Sequence, residues 1–131
     1  MFVDTSAVVA ILCEEPDAAE LLDRLAAAPR RLTSALVIVE ASMRLSPKLA
    51  IDPVAVEALI ARFMHEAAIV LAPLDARAAG FAVRAFSQYG KGRGHPAQLN
   101  LADCLSYGCA KAQGVPLLYK GDDFARTDLA G

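Results

Sequence analysis

Apolar and polar positions along this chain fall into blocks that read as short buried strands separated by helices. Phe2-Val3 ends abruptly in Asp4, and Thr5-Ser6 leads into Ala7-Val8-Val9-Ala10-Ile11-Leu12, the pattern of a buried strand emptying into a helix start. Glu14-Glu15-Pro16-Asp17 breaks the pattern, and a second helix is predicted from Ala18 to Ala28 with Leu21, Leu22 and Leu25 on one face. Arg30 to Ser34 reads as a second strand closing in a hydroxyl cap. Ala35 to Leu45 predicts a third helix, apolar on nearly every face and ended by Ser46-Pro47. Asp52-Pro53 opens a fourth helix through about Glu66, since Asp suits the cap and Pro the first turn. Ala68 to Leu71 reads as a third strand, and Asp75 begins a fifth helix that runs to about Tyr89.

Gly90-Lys91-Gly92-Arg93-Gly94-His95-Pro96, with glycines interleaved among cationic or titratable side chains, predicts a mobile loop. Asn100 then caps a sixth helix from Leu101 to Gln113, which Gly114 terminates. Val115 to Tyr119 is the last strand, followed by the turn Gly121-Asp122-Asp123-Phe124 and a short final helix. Strands separated by helical segments of this length imply parallel pairing through right-handed crossovers. The expected fold class is α/β, a three-layer sandwich with a central parallel sheet. With 131 residues and no linker or internal repeat, the chain is expected to form one domain, residues 1–131.

Composition adds an excess of apolar residues, 56% of the chain, with a mean hydropathy of +0.39. No apolar run approaches the ~20 residues that span a bilayer, so the excess is assigned to a covered sheet, a subunit interface, or both. The net charge of −2 does not advertise nucleic acid, although a few clustered cations can hold a phosphate backbone while carboxylates elsewhere balance the count. Cys13, Cys104 and Cys109 show neither disulfide nor zinc-site spacing. No basic leader precedes the first apolar run, and a reduced, cytoplasmic protein is expected.

The chemistry lies in the acids. Asp4 sits at a strand's carboxyl end, where open parallel sheets bind ligands, although an Asp, Thr or Ser there also caps a helix. Glu40 falls within the apolar third helix and is expected to be buried. Asp103 stands in the first turn of the sixth helix among apolar neighbours, where the helix dipole answers part of its charge. A buried carboxylate needs a cation, a partner or a metal, or else its pKa rises until it is neutral. A fourth acid, Asp122 or Asp123, follows the last strand. Acids converging in this way suit Mg²⁺ or Mn²⁺, hard cations that prefer oxygen, and phosphodiester hydrolysis is the chemistry such a site supports.

Phe2-Val3-Asp4-Thr5-Ser6-Ala7, Glu40 after Thr33-Ser34, Leu99-Asn100-Leu101-Ala102-Asp103, and Leu117 through Phe124 with Thr127-Asp128 resemble the PIN-domain ribonucleases of the VapC toxin type. The resemblance covers the whole chain. It implies that Asp4, Glu40, Asp103 and Asp122 are the catalytic acids and the ligands of Mg²⁺, or of Mn²⁺ in its place. It further implies support by hydrogen bonds from Thr5 or Ser6 and from Asn100, with Asp123 acting through water or capping the last helix. An RNA substrate, a VapB-like antitoxin, a homodimer and no membrane association are the corresponding expectations. Lys91 and Arg93 are candidate RNA contacts, His95 is as readily a solvated loop residue, and His65 is read as a helix-surface histidine. Two other readings compete: an aspartate-nucleophile phosphatase, whose second acid two residues on is missing, and a non-catalytic binding module that docks a partner's arginines. Leu21, Leu22, Leu25, Leu36, Val37, Ile38, Val39, Met43, Leu45, Leu59, Ile60, Phe63 and Met64 on the second to fourth helices are more apolar residues than one buried face requires, so part of this set is expected outside the core as an antitoxin surface.

Overall fold

A computed structural model describes residues 1–131. Its strands are β1 (Phe2–Val3), β2 (Leu32–Thr33), β3 (Val70–Leu71) and β4 (Leu117–Leu118), all parallel, in the order β3-β2-β1-β4. Six helices complete a three-layer α/β sandwich: α1 (Thr5–Leu12), α2 (Ala18–Ala27), α3 (Ala35–Leu49), α4 (Pro53–Glu66), α5 (Ala76–Tyr89) and α6 (Leu101–Gln113). No helix is long and apolar enough to cross a membrane. The chain leaves β1 toward β2 and β3, then returns to place β4 on the other flank of β1. A crevice at the carboxyl end of β1 and β4 is therefore a topological switch point, where such sheets bind ligands.

The strands are short, and their ends are tied by backbone and side-chain bonds. Phe2 N–H donates to Pro116 O at 2.8 Å, Asp4 N–H to Leu118 O at 3.0 Å, and Thr33 Oγ1 donates to Val3 O at 2.8 Å inside the core. Phe2, Val3, Leu117 and Leu118 are fully buried, as residues covered on both faces of a sheet must be. Around the sheet, α1 packs on α2 and α3, α3 on α4, and α5 on α6. Gly108 makes the last of these contacts possible, because a Cβ there would stand 2.4 Å from Ala78 O.

The structure departs from the sequence reading at several places. Helix α3 continues through Pro47 to Leu49 and ends at Ala50, whose φ is 55°. Proline costs the helix the hydrogen bond of its missing N–H, and here that break falls in the last turn, with only two helical residues beyond it. Ser46 takes over the termination, donating its hydroxyl to Ile51 O and accepting the N–H of Ile51 on its carbonyl. Helix α3 is also not apolar-buried all round: Val37, Ala41, Ser42 and Leu45 face inward, while Val39 and Met43 are 55% and 69% exposed. The expected final helix is absent, and residues 121–131 form successive turns.

The glycine-rich segment after α5 is a loop tied at its base. Lys91 N–H donates to Leu99 O and Leu99 N–H to Tyr89 O, each at 2.9 Å, closing it at its base. His95 supports the closure from within, its Nδ1 accepting the Ala97 N–H at 3.0 Å and its ring set edge-on to Tyr89 at 4.9 Å. The Tyr107 hydroxyl in turn donates to Asp128 at 2.6 Å, and Lys111 pairs with the same carboxylate, which fastens the terminal turns to α6. Partial burial pushes Asp128 up, but the Lys111 and Tyr107 bonds outweigh it and hold its carboxyl below the usual range. Asp128 is thus a structural acid.

Candidate metal and nucleic-acid site

Asp4 leaves β1 in extended conformation and caps α1, so the capping and the chemical roles fall to different oxygens of one carboxylate. Its Oδ2 accepts the Ser6 N–H at 3.0 Å and the Ser6 hydroxyl at 2.6 Å, while Oδ1 has no hydrogen-bond partner. Ser6 Oγ accepts the Lys120 N–H at 3.0 Å, which ties the cap to the chain leaving β4. Thr5 takes no such part: its buried Oγ1 has no partner.

Asp103 is arranged in the same way on α6. Asn100 Oδ1 accepts the Asp103 N–H at 2.9 Å, and Asp103 Oδ2 accepts the Asn100 N–H at 3.1 Å, a reciprocal cap that leaves Oδ1 open. Asp4 and Asp103 are 5% and 8% exposed, and neither has a cationic partner. Burial pushes the Asp103 carboxyl up to about 7; the Asn100 N–H bond opposes this, and the charges of Asp123, Asp4 and Glu40 add to it. Those causes place four acids from β1, α3, α6 and the turn after β4 within electrostatic reach of one another.

Glu40 is half-buried rather than buried, because α3 turns only one face inward, and its carboxylate has neither hydrogen bond nor ion pair. Of the two acids after β4, Asp123 is the one whose charge reaches Asp103, and it in turn feels the charges of Asp4 and Asp122. The residue Asp123 is exposed, yet its carboxyl is raised, first by partial burial of the group and then by Asp4 and Asp122, with Arg44 opposing. Lys120, the cation nearest in sequence, turns away to Glu15 and Asp17 at 3.3 and 3.2 Å, the second an ion pair without hydrogen-bond geometry.

Arg44 is the residue that sequence reasoning missed. It lies one turn after Glu40 on the same side of α3, is exposed, makes no ion pair, and its charge reaches Asp123. Lys91 and Arg93 are exposed and unpaired; Arg93 sets its guanidinium over the Phe86 ring at 6.0 Å. His65 stands in the last turn of α4, away from these acids.

The donor set is all oxygen and carries several negative charges, which fits a hard divalent cation in atom type and charge. Open Oδ1 atoms on Asp4 and Asp103, each beside an anchored Oδ2, are what first ligands require. As they stand, no three acid, histidine or cysteine side chains are gathered closely enough to hold one ion.

The PIN domain family matches residues 1–129 of the chain. Ribonuclease VapC28 of Mycobacterium tuberculosis is 45% identical over 129 residues, covering 98% of this chain and 95% of that protein. Ribonuclease VapC30 of the same species is 42% identical over 130 residues, with 99% and 96% covered. A VapC ribonuclease of Mycobacterium bovis is 40% identical over 129 residues, with 98% and 96% covered.

Proposed function

This chain belongs to the PIN-domain family, and on that premise we propose that it is a metal-dependent endoribonuclease of the VapC toxin type. In this reading it acts in the cytoplasm as a homodimer and is silenced by a VapB-like antitoxin. The observation that carries the proposal is the pair Asp4 and Asp103: buried, without cations, each with one oxygen anchored and one open, at the sheet's switch point. Mg²⁺, or Mn²⁺ in its place, held by Asp4, Glu40, Asp103 and Asp122 or Asp123, would supply an activated water and charge neutralisation at the phosphate.

The chain's own residues prepare that site. The Ser6 hydroxyl fixes the rotamer of Asp4, and the Asn100 backbone N–H fixes that of Asp103, so the open oxygens are pre-aimed. Lys91 and Arg93, joined by Arg44, would meet RNA phosphates beside the acids, which positions the strand without reading its sequence. The antitoxin is supported by the apolar surface of α3 and α4, where Val39, Met43 and Val54 line a cavity of about 260 Å³. Val39 and Met43 immediately precede Glu40 and Arg44 along α3, so a partner seated there would also obstruct the acids.

One observation favours the non-catalytic reading: no three acids are gathered to hold an ion as they stand. A single assay separates the two. Purified protein is incubated with single-stranded RNA in Mg²⁺, in Mn²⁺ and in a chelator, alongside Asp4→Asn, Glu40→Gln and Asp103→Asn. Cleavage that needs the metal and is abolished in each variant is expected. Absence of cleavage by the wild type in either metal would favour the binding module.

A further inference from the structure

Between α5 and α6 the surface opens into a groove of about 420 Å³. Val83 and Phe86 of α5 form one wall, Leu99, Asn100 and Leu101 form the other, and Lys91 lines it from the segment that joins the two helices. The groove is not a fold in the core: Phe86 is 46% and Leu101 76% exposed. The position of the Phe86 ring depends on Gly90, where a Cβ would come within 2.4 Å of ring atom Cδ1, and Arg93 lies over the same ring. An exposed aromatic with a guanidinium beside it and a lysine in the same groove is the combination that single-stranded nucleic acid uses for stacking and phosphate contact.

Charge selects the occupant. From Ala76 to Ala102 the chain has no acid, but it has Arg77, Arg84, Lys91 and Arg93. A two-fold pairing of this face with a second copy would gather both copies' Lys91 and Arg93 into one interface, with no carboxylate from this stretch to answer them. A polyanion meets no such penalty. Position points the same way, because Asn100 lines the groove and also accepts the Asp103 N–H at 2.9 Å. The groove therefore ends about one helical turn, ~5.4 Å, from an acid of the site.

We propose that this groove takes one unpaired nucleobase of the RNA, from the nucleotide beside the cleaved phosphate, stacked on Phe86 with Lys91 and Arg93 on the flanking phosphates. The proposal rests on the nuclease reading above and adds to it a base-holding subsite, which would make the substrate single-stranded at that nucleotide.

The test uses the whole chain, a single-stranded RNA that it cleaves, and the same RNA with the base removed at one position at a time beside the cleavage point. Phe86→Ala is compared with Leu101→Ala, which removes an exposed groove residue without touching the Gly90 contact. Each variant should raise KM about tenfold with kcat nearly unchanged, the loss expected for one base stack. Removing the base at one position should raise KM of the wild type by a similar factor and leave Phe86→Ala almost unaffected, because both remove the same contact. Unchanged KM in both variants, a base-removal effect that persists in full in Phe86→Ala, or an effect on oligomeric state alone would overturn the subsite. A wild type that cleaves no single-stranded RNA would overturn the nuclease reading itself.

Discussion

Replacing Asp103 by asparagine should make the protein more stable in a chelator and should also remove its gain from divalent metal. Asparagine keeps the shape and can still accept the Asn100 N–H, so the reciprocal cap survives. What it removes is a carboxyl raised from 3.8 to about 7 by burial and by Asp123, Asp4 and Glu40. At 1.36 kcal/mol per pH unit, ionising that group in the folded chain would cost ~4 kcal/mol. Solvent at its open oxygen screens part of this, so about 1–2 kcal/mol is expected. The sign follows from proton linkage. The folded state binds the proton more tightly than the unfolded one, so the cost is absent below about pH 4, grows as pH rises toward 7, and is constant above it. Thermal unfolding in a chelator should therefore show the variant melting roughly 3–8 °C above the wild type at pH 8 and level with it near pH 4. Adding Mg²⁺ or Mn²⁺ should raise the wild type and leave the variant behind. A variant that is no more stable than the wild type at pH 8, or one whose advantage does not change with pH, would refute the electrostatic reasoning.

Three further outcomes are expected. Neutralising Lys91 and Arg93 together should weaken RNA binding and reduce the slope of log affinity against log salt by up to about 2, with metal affinity unchanged; an unaltered slope would assign the segment another task. Arg44→Ala should raise KM for RNA several-fold while the fold and the metal response stay intact, because Arg44 is exposed and unpaired; unchanged kinetics would reduce it to a counter-charge for Asp123. Val39→Lys with Met43→Lys should release the enzyme from its antitoxin while cleavage is retained, and inhibition that survives both changes would place the partner elsewhere.

Asp103 was legible in the sequence because a carboxylate among apolar neighbours is costly and needs a reason, and it is buried as that argument requires; Asp4 was legible from its place at a strand's carboxyl end, whereas Glu40, expected buried by the same argument as Asp103, is only half-buried. The parallel sheet was legible because its short apolar strands are separated by helical segments long enough for right-handed crossovers. Other features depend on directions that sequence does not carry. Whether Asp122 or Asp123 points toward Asp4 is settled by how the turn leaves β4, and the two residues are otherwise alike. Arg44, four residues after Glu40, looks like half of an ordinary helix-surface ion pair, yet Glu40 has no such partner and the arginine's charge falls on Asp123 instead. Val39 and Met43 made α3 look buried all round; the structure leaves them outside and Glu40 half-exposed between the two surfaces. Glycines at 90, 92 and 94 marked the loop, but the bonds of Lys91 and Leu99 at its base and the Tyr89–His95 contact are made between residues whose types alone do not reveal them.

Whether these acids hold a divalent cation is tested most directly by a crystal soaked in Mn²⁺. Anomalous density is predicted within roughly 2.0–2.2 Å of the open carboxylate oxygens of Asp4 and Asp103, with Glu40 and one of Asp122 and Asp123 drawn toward it directly or through water. Density elsewhere on the protein, with none between Asp4 and Asp103 at saturating Mn²⁺, would contradict the account.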